Sequence, residues 1–467
     1  VVNTDERLSW PRMVGLGAQH VVAMFGATFV FPVVMGLNPQ LAVLMSGVAT
    51  ILFLLIVNNR VPSYLGTSAA FVGAVAAIRA QGGDSAQVTG SILIAGLMLV
   101  VIGVIVHLAG GSVINKILPP AVTGAVVMLI GFNLAPVVAN NYWPVDQWVA
   151  LLTMAFVIIC SVVARGFISR IAVLLGLVFG TLISWIFDLI FGPLSIADGG
   201  TADRINFSSV GHASWIGLPH SITQADGTVL SGAHLPSFSM TFILLVVPGV
   251  VALVAENAGH VKAVEEMTGK DLNGYMGRAF IGDGVGTTIA SLVGGSPTTT
   301  YAENIGVMAA TRVYSTAAYY IAALVAIVFG FCPKFGALVS SVPSGVLGGI
   351  TVVLYGMIGL LGAKIWVDNR VNFGNPLNLV PLAAGLIIGI GDVGLVFSDD
   401  FSITGIALGT IVVVVGYHLV RFFAPPHLRD EAGAPIATPP EATSGLPSAA
   451  AVRGGAPGTS PVTSPQA

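Results

Sequence analysis

Read for hydrophobic and polar positions, the chain is a succession of long apolar runs separated by short polar turns. A membrane-crossing helix needs about 20 apolar residues. Runs that meet or approach this length occupy 14–35, 40–58, 88–109, 119–139, 147–163, 170–192, 239–257, 276–294, 314–333, 340–361, 378–396 and 402–422. Two further stretches, 64–79 and 296–312, are short and crowded with Gly, Ser, Thr and Pro. Counting both predicts fourteen passes with both termini on one side. The first run has no small-residue cleavage site behind it and continues into Phe31-Pro32-Val33-Val34, so it reads as a span and not a removed signal. The stretch 424–467 is rich in Pro, Ala, Ser and Thr and reads as a disordered tail.

Composition agrees with the pattern. The chain is 55% apolar and 8% charged, with a mean hydropathy of +0.91, where a soluble domain carries about 25% charge. The 58 glycines and 26 prolines suit close helix packing and broken membrane helices. A net charge of -3 points away from nucleic acid, and Cys160 and Cys332 read as small packing residues, not a disulfide. With cytoplasmic termini, only Arg79, Arg204 and Lys334 of the 18 basic residues fall outside. That bias favours inside-facing termini and requires both short stretches to cross. The divisions are then a cytoplasmic N-terminus at 1–13, a first set of seven spans at 14–192, an external loop at 193–238, a second set at 239–423 and the cytoplasmic tail. The loop holds Asp198, Asp203 and Asp226 but a single arginine.

The two sets look like inverted copies. Leu118-Pro119-Pro120-Ala121-Val122-Thr123-Gly124 is echoed 224 positions later by Val342-Pro343-Ser344-Gly345-Val346-Leu347-Gly348. Gly66-Thr67-Ser68 is matched 229 positions later by Gly295-Ser296-Pro297. Seven is odd, so the halves must face opposite ways, and paired interrupted spans in such repeats point to a binding site at the midplane. Pro297-Thr298-Thr299-Thr300-Tyr301 favours extended backbone. Extended backbone cannot face lipid with its amides unpaired. The expectation is that the short spans pair with each other inside the protein and continue as half-helices; the alternative is a surface re-entrant loop.

Ionisable groups at membrane depth are costly and are functional suspects. Glu256 and His260 share a helical face at the end of the run 239–257, and Glu303 follows the threonine run. The bland reading of the first pair is a helix end at the interface. His20, Asp283 and Asp392 read equally as structural hydrogen-bonders or ligand contacts. Two carboxylates, an imidazole and exposed strand amides suit a small planar solute with N–H donors and carbonyl acceptors. A carboxylic acid in a low-dielectric site tends to hold a proton, which links such a site to protonation.

Glu303-Asn304-Ile305-Gly306-Val307-Met308-Ala309-Ala310-Thr311-Arg312 matches Gln/Glu/Pro-Asn-x-Gly-x-x-x-x-Thr-Arg/Lys/Gly, the signature of the nucleobase-ascorbate transporter (nucleobase:cation symporter-2) family. The resemblance runs from Gln19-His20 through the last span and is greatest to bacterial uracil and pyrimidine permeases. It implies an all-α polytopic membrane fold with fourteen spans in two inverted repeats, divided into a core domain (spans 1–4 and 8–11) and a gate domain (spans 5–7 and 12–14). It also implies that Glu256 and Glu303 hydrogen-bond the base, with His260 beside Glu256 in the proton-coupling network. Ala27, Ser68, Ala69, Tyr301 and Ala302 would line the pocket. The implied activity is proton-coupled import of a nucleobase, uracil first, through the cell membrane. No cofactor beyond the coupling proton is implied, and the partners are the nucleobase, the bilayer and a second copy docked through the gate domains. Uracil permeases typically carry a stacking Phe where this chain has Ala69, with Phe71 two positions on; that opens the site to xanthine or thymine.

Other readings fit less well. A sulfate or bicarbonate transporter of this fold is disfavoured by the signature and by the lack of a basic residue at membrane depth. An intramembrane hydrolase lacks His-Glu-x-x-His or an activated nucleophile. A channel needs no solute-shaped site linked to a proton.

Overall fold

Helices form along the apolar runs, and the polar residues that interrupt the runs cap their ends. Asn38, Asp84, Asp146 and Asn375 each accept a backbone N–H from the first turn of the helix that follows. The computed structural model describes residues 1–195, 201–223, 229–398 and 401–432. Asp198, Asp226 and most of the expected tail, 433–467, lie outside the described residues.

The first half comprises α1 (Trp10–Val34), α2 (Pro39–Ile56), β1 (Leu65–Thr67), α3 (Val72–Ala80), α4 (Ser85–Ala109), α5 (Pro120–Phe132), α6 (Gln147–Val163) and α7 (Ala172–Phe191). The second comprises α8 (Met240–Thr268), α9 (Met276–Leu292), β2 (Thr298–Thr300), α10 (Ala302–Thr311), α11 (Thr316–Gly330), α12 (Ser344–Asp368) and α13 (Pro376–Ile390). The strands β3 (Gly394–Ser398) and β4 (Phe401–Thr404) and the helix α14 (Gly405–Phe423) complete it. Among the described residues, eight helices are long and apolar enough to cross a membrane, or nine if the pair Thr316–Gly330 and Pro333–Ser340, bent by 83°, is one span.

Four boundaries differ from the sequence expectation. The helix carrying Glu256 does not stop at 257 but runs to Thr268, so Glu256 and His260 sit within a helix and not at its end. Beyond Asn257 the helix keeps Val261 and Val264 buried and exposes Lys262 and Glu266, so hydropathy falls while the helix continues. The thirteenth run stops at Ile390, because Asp392 adopts a left-handed conformation (φ 50°). Strands β3 and β4, rich in β-branched and aromatic residues, pair antiparallel and replace the expected helical ends at 394–396 and 402–404. The eleventh run ends at Gly330, and the chain turns into a separate short helix, Pro333–Ser340, with Pro333 at its first position. The expected tail begins with a helix, Pro426–Ala432, tied down where the Asn375 side chain donates to the Leu428 carbonyl at 2.8 Å.

The outside of the molecule is apolar: Leu108 is 80% and Val162 78% exposed, while Ser91, Thr153, Asn257 and Asp283 are buried. Such a belt reads as lipid-facing surface. Inside it, small residues let backbones touch. A Cβ on Gly277 of α9 would lie 2.4 Å from the His107 nitrogen of α4, and one on Gly131 of α5 would lie 2.3 Å from the Tyr355 carbonyl of α12. Thus α4 packs on α9, α2 on α9 and α11, and α1 on α11; separately, α12 packs on α5 and α6, α13 on α5 and α14, and α7 on α6.

Contacts between connections sort them onto two ends of the molecule. At one end the Asn38 side chain donates to His220, Arg79 to Gly36, and the Lys334 backbone N–H to Ser214. There Arg204 is also paired with Asp146 and Asp188. At the opposite end residues 2–4 bond to residues 312–316, Lys270 to Thr4, Tyr320 to Asn59, and His418 to Ile117.

Candidate functional site

Two short extended segments from opposite halves of the chain meet in the buried interior. Pro62 and Gly66 keep residues 61–68 out of a helix, and Pro297 with its threonine run does the same for 296–301. β1 and β2 pair antiparallel, with Leu65 opposite Thr300, Gly66 opposite Thr299 and Thr67 opposite Thr298. The ladder is extended by Ser68 N–H to the Pro297 carbonyl (2.8 Å) and Tyr301 N–H to the Tyr64 carbonyl (3.1 Å). The expectation that the two short stretches pair inside the protein is therefore met, and a surface loop is excluded. The hydroxyls of Thr67 and Ser296, 229 positions apart, lie 2.8 Å from each other.

Neighbouring helices hold this hairpin through side chains. Thr50 of α2 accepts from Leu65 N–H at 2.9 Å, and Thr287 of α9 bonds both the N–H and the carbonyl of Thr298 at 3.0 Å. Tyr301 donates to the Thr67 carbonyl at 2.7 Å. From α8, Asn257 Oδ1 accepts from Thr299 at 3.0 Å and Thr300 at 2.9 Å, and His260 Nδ1 lies 2.8 Å from the Thr300 hydroxyl. A threonine hydroxyl has one proton, and here Asn257 takes it. The hydroxyl then accepts from His260 Nδ1–H, which puts the lone pair of the neutral ring on Nε2.

The carboxylates sit where the hairpin gives way to open space. Glu303 lies in the first turn of α10, where the helix dipole favours a negative charge, and it is exposed although the β2 residues before it are all buried. Glu256, His260 and Ala302 are half-buried, and a Cβ added at Gly259 or Gly306 would meet nothing within 4 Å. These residues of α8 and α10 lie toward open space, with Glu256 and Glu303 within electrostatic reach of each other.

Ser68 is buried and its hydroxyl accepts from Ala70 N–H at 3.2 Å, so it caps the turn Ala69–Phe71. Ala69, Tyr301 and Ala27 are buried. Ala27 lies on α1 beside Thr28, whose carbonyl is 3.3 Å from the Thr67 hydroxyl. Phe71 is fully buried against Gly249 of α8 and does not take the place that Ala69 leaves open. His20 is buried near Tyr319, and its carbonyl and Nδ1 accept from Asn304 at 3.0 and 3.1 Å, which ties the signature to α1. Asp283 is buried with no hydrogen-bond partner among the described residues, in electrostatic reach of Glu256, whereas Asp392 is exposed in the loop after α13. Sequence reasoning passed over Asn257, the joint between α8 and β2. Its only signal was an amide beside Glu256 in an apolar run. Among the described residues no three His, Cys, Asp or Glu side chains are grouped to hold a metal ion.

Comparison with known proteins agrees with this architecture. The Permease family model matches residues 12–396. The putative pyrimidine permease RutG of Escherichia coli (strain K12) is 43% identical over 422 residues, 89% of this chain and 91% of that protein. The uracil permease of Bacillus caldolyticus is 38% identical over 425 residues, 89% of this chain and 93% of its own length. Among solved structures, the transmembrane domain of a cyanobacterium bicarbonate transporter, BicA, matches with a TM-score of 0.55 at 14% identity, covering 90% of this chain and all of that one (100%). The murine Slc26a9 anion transporter in the inward-facing state matches with a TM-score of 0.62 at 10% identity, covering 89% of this chain and 69% of that one. At such identities the likeness is one of fold alone.

The hairpin has no room for a side chain at its centre. A Cβ on Gly66 would lie 2.3 Å from the Thr28 hydroxyl and 2.5 Å from the Tyr301 ring. Gly66→Ala is expected to cost about 1–3 kcal/mol of stability through overpacking, whereas Gly259→Ala, which enters open space, is near neutral. Thermal unfolding in detergent measures both; equal melting temperatures would show that the hairpin is not tightly seated.

Proposed function

Because the chain belongs to the permease family, a family of transporters and not enzymes to which its signature pointed, we propose that it imports a nucleobase, uracil first, together with a proton. The carrying observation is the open side at the end of the β1–β2 hairpin, where Glu303 is exposed and Glu256 and His260 are half-buried. Carboxylates accept from the N–H groups of a lactam or imide ring, and the backbone at the strand ends offers both donors and acceptors. In this reading Glu256 and Glu303 bind the base, Ala27, Ser68, Ala69, Tyr301 and Ala302 shape the pocket, and His260 relays the proton through its Nε2. The named relatives favour uracil or another pyrimidine over xanthine and other purines. Anion transport of the bicarbonate kind has only the fold in its favour.

Fourteen crossings in two inverted repeats are supported by the sorting of connections onto two ends. The packing partners support them too, because they exchange under a shift of seven helices. Contact of α2 with α11 corresponds to α9 with α4, α1 with α11 to α8 with α4, α12 with α6 to α5 with α13, and α7 with α6 to α14 with α13; every one of these pairs occurs. The separate packing of α5–α7 with α12–α14 supports a gate that rocks against a core made of the rest. The repeats would span 14–192 and 239–423, with 193–238 external, and the basic residues favour cytoplasmic termini. Pairing of two copies through the gates completes the reading, and cross-linking in native membranes reads it out.

Glu303→Gln should weaken uracil binding roughly 10- to 150-fold, the cost of losing a charge-assisted bond of about 1.5–3 kcal/mol. His260→Ala, which spares the direct contacts, should bind nearly as wild type does. Calorimetry separates the two; unchanged affinity in Glu303→Gln would remove Glu303 from the site.

Selectivity should turn on Ala69. A pocket without a stacking ring there cannot strongly reject a slightly larger base, and aromatic contact is worth about 0.5–1.5 kcal/mol beyond its area. Ala69→Phe is expected to tighten uracil binding and suppress competition by thymine and xanthine in uptake assays. If neither base competes in the wild type, another residue closes the pocket.

A further inference from the structure

The helix that carries Glu303 is short and takes its position from its neighbours: Asn304 bonds to His20 of α1, and Val307 and Met308 are buried. α10 has 10 residues, and isolated helices below about 12–15 residues are marginal. Its open side, with Glu303, Gly306 and Ala309, lacks close neighbours. The β1–β2 hairpin fixes its beginning. Its end is Arg312, a non-glycine residue in the left-handed region (φ 53°), and the chain turns there into α11.

The first residues of the chain lie along that turn. Val2 N–H donates to the Arg312 carbonyl at 3.0 Å, and Tyr314 N–H to the Val2 carbonyl at 2.8 Å, forming a parallel bridge to Val313. The Thr4 carbonyl then accepts from both the N–H (3.2 Å) and the hydroxyl (3.1 Å) of Thr316, supplying the α11 N-terminus with the cap that the Ser315 side chain does not make. Lys270, just past α8, donates to the Thr4 hydroxyl at 2.9 Å. Thr4 is only 3% exposed, although Val1 three positions earlier is 79% exposed. One strand-like segment thus joins the ends of α8 and α10 to the start of α11.

We propose that residues 2–4 are a positioning strap. By adding to the extended backbone of 312–314, the strap fixes the far end of α10, so that Glu303 keeps its place relative to Glu256 and His260. The strap touches no substrate and acts through the helix it holds. The inference rests on the assignment of Glu303 to the uracil site, so its test carries one readout that needs no substrate.

Val2→Pro deletes the N–H that the Arg312 carbonyl accepts and leaves the rest of the chain intact. Thr4→Ala deletes the hydroxyl that Lys270 reaches, and Thr4→Ser retains it. A chain lacking residues 1–5 removes the whole segment. Amide hydrogen exchange over 305–311 should accelerate roughly tenfold in Val2→Pro and in the shortened chain, with α4 unchanged. The KM for uracil uptake should rise roughly fivefold with Vmax within about twofold, and Thr4→Ser should restore what Thr4→Ala loses. Unchanged exchange in α10, faster exchange with an unchanged KM, or an equal acceleration in α4 overturns the strap. Absence of uracil uptake by the wild type would overturn the functional reading instead, and the exchange result would still decide whether the strap holds α10.

Discussion

Backbone amides in a molecule with an apolar exterior must find partners within it, and residues 64–68 and 297–301 find them in each other. Everything at the site follows from that pairing. An extended segment that broke off in the interior alone would leave unpaired groups at a cost of several kcal/mol each. Two such segments, one from each half of the chain, satisfy one another and leave free valences only at the strand ends, where the half-helices begin. The proposed binding chemistry is therefore gathered at one place, beside Glu303.

The side chains around the hairpin divide into those that hold it and those that face the opening. Thr50, Thr287, Tyr301 and Asn257 spend their hydrogen bonds on strand atoms. Glu256, Glu303 and His260 lie on the open side, and only His260 serves both roles, with Nδ1 on Thr300 and its lone pair on Nε2. Protonation of that ring would therefore be felt on β2, the strand proposed to bind substrate, a short route by which a proton and a solute could influence one another.

Much of this was legible in the sequence, because membrane folding leaves few options. Long apolar runs had to be helices, and the Thr298–Thr300 run behind Pro297 had to be extended and therefore paired. The offset of 229 even anticipated a contact, Thr67 with Ser296. The parts that were not legible share a cause. Hydropathy registers long apolar runs, so it ended α8 at residue 257, where charged residues begin to alternate with buried valines, and it gave no weight to Asn257. It also made 391–396 and 402–404 look like helix, although Asp392 breaks the chain there and β-branched residues pair beyond it. The resting place of Phe71 against Gly249 depends on a close approach between α3 and α8 that no local pattern encodes.

The central claim is that this hairpin site carries a nucleobase inward in step with a proton. Uptake of radiolabelled uracil by purified protein in liposomes, with an imposed pH gradient acid outside, tests it most directly. The account predicts accumulation above equilibrium that collapses with a protonophore and is not restored by a sodium gradient at fixed pH. Uptake driven by sodium alone, or liposomes that ignore uracil while transporting bicarbonate, would contradict it.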